Sequence, residues 1–225
     1  MMIKSDPFLT PQQYPGFCAA AKLAETCNYE AGHAQHVTSL SLQLYDQLLS
    51  LHQYAGNERY WLMCASILHD IGWMEGGRAH HKTGLHIILS TPLLPFDSRE
   101  RLIIGSIVRY HRKAMPHTRH DHYAALHKSD QRIVKTLSVI LRLANSLDHS
   151  HQQIIQHIRC KVTPKRIALT CFSSQSAPDE KSEALQELKC FACVFTQKVN
   201  LKFRRGEPPK VAIPPLAGCS ETKPI

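Results

Sequence analysis

The sequence has no long hydrophobic run and few aromatic residues. Its apolar stretches are only a few residues long, far short of the roughly 20 residues that a membrane-spanning helix needs, and aromatic residues make up 7% of the chain. The N-terminal segment MMIKSDPFLTPQQYPG has no apolar core of the kind found in secretory signals. We therefore expect a cytoplasmic protein that does not enter a membrane. Glycine is also scarce, with 10 residues, and no glycine-rich phosphate-binding loop is present.

Acidic residues are outnumbered by basic ones, 18 Asp and Glu against 27 Lys and Arg, which gives a formal net charge of +9. Seven Lys or Arg but only two Asp fall within residues 101–132. This charge predicts an anionic partner. Because the basic residues are not interleaved with stacking aromatics, a phosphate-bearing small molecule or polyphosphate is favoured over nucleic acid.

The hydrophobic pattern predicts a helical body. Apolar residues such as Val37, Leu40 and Leu44 recur at three- and four-residue steps, which is typical of amphipathic helices. The predicted helices cover residues 10–27, 31–53, 57–70, 79–91, 97–111, 119–127 and 130–148.

The pattern changes near residue 157. Short segments rich in Ile, Val and Thr predict strands at 157–163, 166–172 and 198–204, and a helical period returns over 179–195. We therefore expect a mainly α protein with a small β-β-α-β appendage. The predicted divisions are a helical domain over 11–156, an α+β subdomain over 157–205 and a proline-rich tail over 206–225.

The eight cysteines do not indicate a disulfide framework, because a chain of this size has enough Leu, Ile and Val for a core. Cys190 and Cys193 form a C-x-x-C motif, but no second pair follows at zinc-ribbon spacing. We interpret the cysteines as mostly buried thiols.

Histidine is abundant, with 15 residues, and none precedes His33 or follows His157. The dipeptide His69-Asp70 ends an apolar helix, where a polar pair must reach solvent or find partners. An imidazole and a carboxylate at such a position can converge on one or two metal ions. Further helix-end histidines could complete the site: His33, His80, His81 and His111. Each of them alone also fits a helix cap or a solvated group, so spacing leaves the site open.

Four segments in order carry a resemblance to a known family: LHDIG (68–72), HHKTG (80–84), VRYHRK (108–113) and LRLANSLDHSH (141–151). They resemble the HD superfamily of metal-dependent phosphohydrolases. The closer resemblance is to the C-terminal HD-like region of the exopolyphosphatase/guanosine pentaphosphate phosphohydrolase (Ppx/GppA) family, over about residues 13–205. It implies an HD-domain helical bundle followed by the α+β appendage.

The resemblance also implies a ligand set for a divalent metal ion, which could be Mn, Fe, Mg, Ni or Zn. The implied ligands are His33, His69, Asp70, His80, His111 and Asn145. His80 is favoured over His81 because a small residue, Gly84, follows it four places on. Asn145 stands where the superfamily usually has Asp, so metal binding should be weaker. Asp148 could share the same helix face.

The function that the resemblance implies is a stand-alone HD-domain phosphohydrolase acting on a nucleotide or another phosphorylated small molecule. Asp70 would act in catalysis, and the phosphate would be bound by Lys82, Arg109, Arg112 and Lys113. Exopolyphosphatase chemistry itself belongs to an ATPase-fold region that this sequence does not show. Two alternatives stay open: a non-catalytic module for polyphosphate binding, nucleotide binding or dimerisation, and a partner-binding helical domain with remnant histidines. A homodimer is compatible with each of them.

Overall fold

The computed structural model describes residues 9–207, in which a helical body precedes a small mixed part. The helices are α1 Tyr14–Thr26, α2 Ala31–Gln47, α3 Leu49–His52, α4 Glu58–Leu68, α5 His80–Ser90, α6 Ser98–Arg109, α7 Asp121–Ala124, α8 Lys128–Ser146 and α9 Pro178–Phe195, with a 3₁₀ turn at Ile71–Glu75. The predicted combination of a mainly α body with a small C-terminal β part is confirmed. Within residues 9–207, no helix combines the length and the hydrophobicity that a bilayer crossing demands.

The core of the body lies around α8, which contacts α2, α4, α6 and α9. Leu137, Ile140 and Ala144 recur on the same side of α8 and are fully buried, as the apolar period of this segment requires. Helix α5 packs on α6 and on the 3₁₀ turn, and α1 packs on α4. The ends of α2, α4, α6 and α8 are thereby held at fixed positions around one core.

Several predicted helices are longer than those of the structure; the first, predicted over 10–27, spans Tyr14–Thr26. Two of the differences have a visible cause. The helix predicted over 31–53 ends at Gln47, and α3 is a separate turn because the side chain of His52 bonds back to the Tyr45 carbonyl at 2.9 Å. The helix predicted over 119–127 has only the four residues of α7. There the Gln131 side chain binds the Tyr123 and Leu126 carbonyls, which are then withdrawn from a longer helix.

The sheet contains three strands in the order β1-β2-β3, namely Ile155–Thr163, Arg166–Ser173 and Lys198–Arg205. Strands β1 and β2 form an antiparallel hairpin in which Thr163 is opposite Arg166. Strand β3 is parallel to β2, and α9 provides the crossover that a parallel pair needs. The predicted β-β-α-β order is confirmed, with β1 beginning two residues earlier than expected.

The outer edge of β1 is covered by glutamine side chains of α2. The Ile158 amide donates to Gln43 Oε1, and the Cys160 amide donates to Gln47 Oε1, both at 2.9 Å. Gln47 Nε2 in turn donates to the Ile158 carbonyl at 2.8 Å. These bonds satisfy backbone groups that an edge strand otherwise leaves unpaired, and they join the sheet to the helical body.

The cysteines within residues 9–207 form no disulfide. Cys27, Cys64 and Cys171 are buried, whereas Cys18 and Cys193 are exposed. The prediction of mostly buried thiols is therefore wrong for Cys18 and Cys193. Cys219 and most of the predicted proline-rich tail, from residue 208 onward, lie outside the described residues.

Candidate metal centre

Polar side chains from five helix ends meet at one end of the bundle. His33 lies in the first turn of α2, the pair His69-Asp70 directly follows α4, and His80 begins α5. His111 follows α6, and Asn145 lies in the last turn of α8. These are the six residues for which the sequence predicts metal ligation, and the fold places all of them in one cluster.

A glycine allows the two central segments to approach each other. A Cβ atom at Gly72 would lie 2.0 Å from the His80 carbonyl oxygen and 2.8 Å from the Gly84 amide nitrogen. Only glycine fits this position, since both contacts are to backbone that cannot give way. The close packing brings Asp70 to His80, with 3.2 Å between Asp70 Oδ1 and His80 Nε2.

Three of the histidines are oriented by a backbone carbonyl three residues earlier in the chain. The Nδ1–O distances are 2.7 Å from His69 to Ser66, 3.1 Å from His80 to Gly77 and 2.7 Å from His111 to Val108. Because a carbonyl oxygen only accepts, each Nδ1 carries the proton and each Nε2 presents its lone pair to the cluster. Metal-binding histidines are held in this way by their second nitrogen.

His33 is oriented by Asp148 instead. Its Nδ1 lies 2.9 Å from Asp148 Oδ2. The other carboxylate oxygen, Oδ1, accepts a hydrogen bond from the backbone N–H of Gln153 at 2.7 Å. Asp148 is fully buried behind the histidine, so it supports a cluster residue rather than facing the cluster itself. On its other side, the His33 ring stacks on His151 with 3.7 Å between ring centroids. His151 ends the segment LRLANSLDHSH, but no role was expected for it from the sequence.

Asp70 lies between two pairs of histidines. Its Oδ2 faces the Nε2 atoms of His33 and His69 at 3.9 and 3.4 Å. Its Oδ1 faces those of His80 and His111 at 3.2 and 3.5 Å. Two triads that could each hold a metal ion therefore share one carboxylate.

The spacing within each pair of histidines fits a cation. The Nε2 atoms are 3.2 Å apart in His33 and His69, and 3.3 Å apart in His80 and His111. Such an approach needs a shared proton or a cation between the nitrogens, and ligand atoms at metal bond lengths of about 2.1 Å lie about 3.0–3.5 Å apart. Asn145 Oδ1, 3.1 Å from His33 Nε2, adds an amide oxygen to the first pair. Nitrogen and oxygen donors of this kind suit divalent transition metals.

The cluster is closed at its histidines and partly open at Asp70 and Asn145. The four histidine side chains are at most 2% exposed, whereas that of Asp70 is 18% exposed. Burial works to raise the pKa of Asp70, but His69, His80 and His111 outweigh it and hold that pKa well below its usual range. Burial lowers the pKa of His111 well below its usual value. Burial also lowers the pKa of His69, whereas at His33 burial is outweighed by the hydrogen bond to Asp148 and the charges of Asp70 and Asp148, which raise the pKa. A charged carboxylate beside the neutral imidazoles of His69 and His111 is the protonation state that binds metals.

The predicted phosphate-binding residues differ in how deeply they are buried. Arg109 is buried, Arg112 is half-buried, and Lys82 and Lys113 are exposed. Burial first, and then charges that include those of Arg109, Arg112 and Lys82, lower the pKa of His81 to about 4. Within residues 9–207, no hydrogen bond or ion pair joins the Lys113 side chain to the cluster. His81 belongs to neither triad, and its ring lies 6.3 Å from that of His111.

Trp73 forms part of the rim of the cluster. Its indole stacks on the His80 ring with 4.7 Å between centroids and 21° between planes, and about half of the residue remains exposed. It belongs to the 3₁₀ turn that follows Asp70. Sequence reasoning did not single out Trp73, because one aromatic in a glycine-bounded loop has no periodic pattern.

Fold and cluster together define a mainly helical protein whose bundle end carries a His/Asp cluster able to hold a divalent metal. The chain matches the family described as Ppx/GppA phosphatase, domain III, over residues 18–190, which is more than half of its length. It therefore belongs to this family. The match confirms the Ppx/GppA part of the resemblance. It does not favour a non-catalytic module, because the family is a phosphatase family.

Proposed function

We propose that this protein is a metal-dependent phosphohydrolase of the HD type, acting on a nucleotide or another phosphorylated small molecule. One observation carries the proposal: four histidine Nε2 atoms converge in pairs on the two oxygens of Asp70. Membership of the Ppx/GppA family supports a phosphate-bearing substrate, with polyphosphate and nucleotides as the first classes to test. A homodimer stays a prediction.

The residues present fit a divalent metal. A metal ion on one side of Asp70 would be held by His33, His69 and Asn145. A metal ion on the other side would be held by His80 and His111. Bound there, the metal supplies Lewis-acid chemistry, which stabilises negative charge on a phosphoryl oxygen and makes water more acidic. Asp148 and the three backbone carbonyls keep the imidazoles in one tautomer, so the site needs little rearrangement.

The chain's own groups account for substrate binding. Asp70, which is more exposed than the four histidines around it, would orient the attacking water by accepting its hydrogen bond. Arg109 and Arg112 flank His111 in the chain, and Lys82 comes two residues after His80, so these cations would bring positive charge near the triads. Such cations offset the charge that a phosphoryl group carries during transfer. The half-exposed indole of Trp73 offers a flat surface at the rim, on which a nucleobase could stack.

Metal analysis is the first test. Protein purified without chelator should contain about one or two divalent metal ions per chain, and His69→Ala should lose most of the metal. His86→Ala is the matched control, because His86 is an exposed histidine on α5 and its substitution should leave the metal content unchanged. Metal-free wild-type protein that stays metal-free after incubation with Mn²⁺, Fe²⁺ or Zn²⁺ would contradict the proposal.

Activity is the second test. A panel of nucleotides, sugar phosphates and short polyphosphates should reveal release of inorganic phosphate that depends on added Mn²⁺, Fe²⁺ or Mg²⁺. We expect Asp70→Ala to lower this rate by about a hundredfold or more, because it removes the carboxylate shared by both triads. Equal rates for wild type and Asp70→Ala would assign the activity to a contaminant and reject the catalytic role.

A further inference from the structure

One face of the three-stranded sheet is lined by cations; we call it the basic face. Ile167, Leu169 and Cys171 of β2 belong to the hydrophobic core, and successive residues of a strand alternate between the two faces. Ala168 and Thr170 therefore lie on the face opposite the core, together with the residues paired to them on β1 and β3. The cations that this register places on the basic face are Arg159 and Lys161 of β1, Arg166 of β2, and Lys198, Lys202 and Arg204 of β3.

No acidic residue of the sheet balances this charge. The three strands contain seven Lys or Arg and neither Asp nor Glu. Five of the six cations on the basic face are exposed, and within residues 9–207 those five form no ion pair. The sixth, Arg159, is half-buried, and its Cζ atom lies 5.7 Å from the centroid of the Phe172 ring. A face with six positive charges and no negative one attracts a partner that carries several negative charges.

The cations of β1 and β3 form two rows on either side of a neutral floor. Arg159 and Lys202 lie on opposite sides of Thr170, the residue of β2 with which both pair. Strands that are two apart are separated by about 9.5 Å, and the short side chains of Ala168 and Thr170 leave the space between the rows unfilled. At the hairpin end of the sheet lies a cavity of about 490 Å³, which is lined by Lys161, Thr163, Pro164, Lys165, Arg166 and Ala168. The basic face is therefore a groove with cationic sides.

The groove favours a nucleic-acid backbone over other polyanions. A membrane surface is planar, and the exposed large apolar side chains within residues 9–207 all lie outside the strands, so the basic face has no anchor for lipid. Inorganic polyphosphate carries its charges on directly linked phosphates, whereas a nucleic acid separates its charges by a sugar. Cations two residues apart on one strand, such as Lys202 and Arg204, are about 6.7 Å apart and fit the wider spacing. Thr170 and Asn200 add neutral hydrogen-bonding groups, which suit sugar hydroxyls.

We propose that the basic face binds single-stranded nucleic acid through its phosphodiester backbone. The strand lies along the groove, with its phosphates facing both rows of cations. A duplex does not enter the groove, because its major groove alone is about 12 Å wide. None of the metal-centre residues belongs to the sheet, so this binding site is additional to the proposed function.

Binding of this kind should be independent of base sequence. The lack of stacking aromatics, which disfavours nucleic acid in the sequence, also holds for the basic face, where Phe172 is 5% exposed. It excludes base stacking but not contacts to the backbone. Because three separate segments contribute the cations, no basic run in the sequence indicates this face. We therefore expect a weak dependence on base identity and a strong dependence on salt.

Fluorescence anisotropy of a labelled uridine oligonucleotide of about 16 nucleotides measures the binding. The full-length double variant Lys161→Gln/Lys202→Gln removes one cation from each row and should bind at least about tenfold more weakly than the wild type. The matched control Lys135→Gln/Lys189→Gln removes the same charge at exposed positions of α8 and α9 and should bind as the wild type does. The slope of log affinity against log salt should fall by about 0.7 for each lysine removed from the basic face, and it should not change in the control.

Melting temperatures separate a loss of binding from a loss of folding. Both double variants should unfold at the wild-type temperature, because the substituted lysines are exposed. If Lys161→Gln/Lys202→Gln does not fold, Lys198→Gln/Arg204→Gln takes its place and should show the same loss of affinity. Equal affinities in the folded variant and the control would show that binding follows net charge alone, and would overturn the inference.

Unlabelled competitors identify the partner. Single-stranded RNA or DNA should displace the probe at lower concentrations than inorganic polyphosphate of the same charge, or than vesicles of phosphatidylserine and phosphatidylcholine. Stronger competition by polyphosphate would overturn the nucleic-acid assignment in favour of an inorganic chain, and stronger competition by vesicles would overturn it in favour of a membrane surface. A duplex should compete less well than either of its strands, and equal competition would overturn binding within the groove.

Discussion

Asn145 shows how one atom can set the strength of a metal site. Its amide oxygen lies 3.1 Å from His33 Nε2, at the position where the resemblance implies an aspartate. An amide oxygen can coordinate a cation but adds no negative charge. A carboxylate in its place would attract a divalent ion by a few kcal/mol before the cost of desolvation is subtracted.

Asn145→Asp should therefore tighten metal binding by about tenfold or more. Competition against a chelator of known affinity measures this change, with the metal content at saturation as a second value. Asn200→Asp is the matched control, because it adds the same charge at an exposed position on β3. An unchanged affinity in Asn145→Asp would show that the residue does not reach the metal.

At the scale of single residues, the sequence could predict which side chains meet but not what orients them. Spacing alone left the site open, and the resemblance to a known family singled out His33, His69, Asp70, His80 and His111. The Nδ1 partners are backbone carbonyls, and backbone groups have no identity that a sequence can reveal. The buried, unpaired Nη1 of Arg109 was equally hidden, because a basic run looks the same whether its side chains are solvated or enclosed.

Among the elements, α8 connects the metal centre to the appendage through Arg142. The guanidinium is 6% exposed and forms a two-pronged pair with Glu187 of α9, at 2.7 and 2.9 Å. Its third nitrogen donates to the carbonyls of Tyr110 and Lys113, the chain segment that follows α6 and includes His111. One side chain therefore joins three elements at the base of the site.

Arg142→Ala should cost about 3–5 kcal/mol in the free energy of unfolding, because it leaves a carboxylate without its partner and two carbonyls without a donor. Urea denaturation measures the loss. Arg59→Ala, which removes a similar two-pronged pair with Asp46 at the surface, should cost less than about 1 kcal/mol. Equal costs for the two variants would show that the burial of Arg142 does not matter.

The elements also differ in how well the sequence predicts them. The helices α4, α6 and α8 follow from their apolar period because each has one face in the core. Residues 119–127 were predicted to form a helix but form only a short one. The side chain of Gln131, which belongs to α8, donates to backbone carbonyls of this region. Contacts between elements are tertiary information, and no local pattern contains them.

For the whole molecule, the question is whether the helical body and the α+β part behave as one unit. The sequence predicts a boundary between residues 156 and 157, and a composition change does occur there. Several connections cross it. Gln43 and Gln47 of α2 bind the edge of β1, Arg142 pairs with Glu187, and the Ser150 amide donates to Glu180 at 3.2 Å. We propose that the two parts unfold together despite the change in composition.

Hydrogen exchange in increasing urea tests this cooperativity. Peptides from α8 and from β2 should lose protection over the same range of urea, because neither part can open without breaking its hydrogen bonds and ion pair to the other. Gln47→Leu should separate them, since it leaves the Cys160 amide and the Ile158 carbonyl unpaired at a cost of about 1–3 kcal/mol. Gln186→Leu, an exposed change on α9, should not. If β2 exchanged well before α8 in the wild type, the appendage would be an independent domain, and its contacts with α2 and α8 would not contribute to the stability of the metal centre.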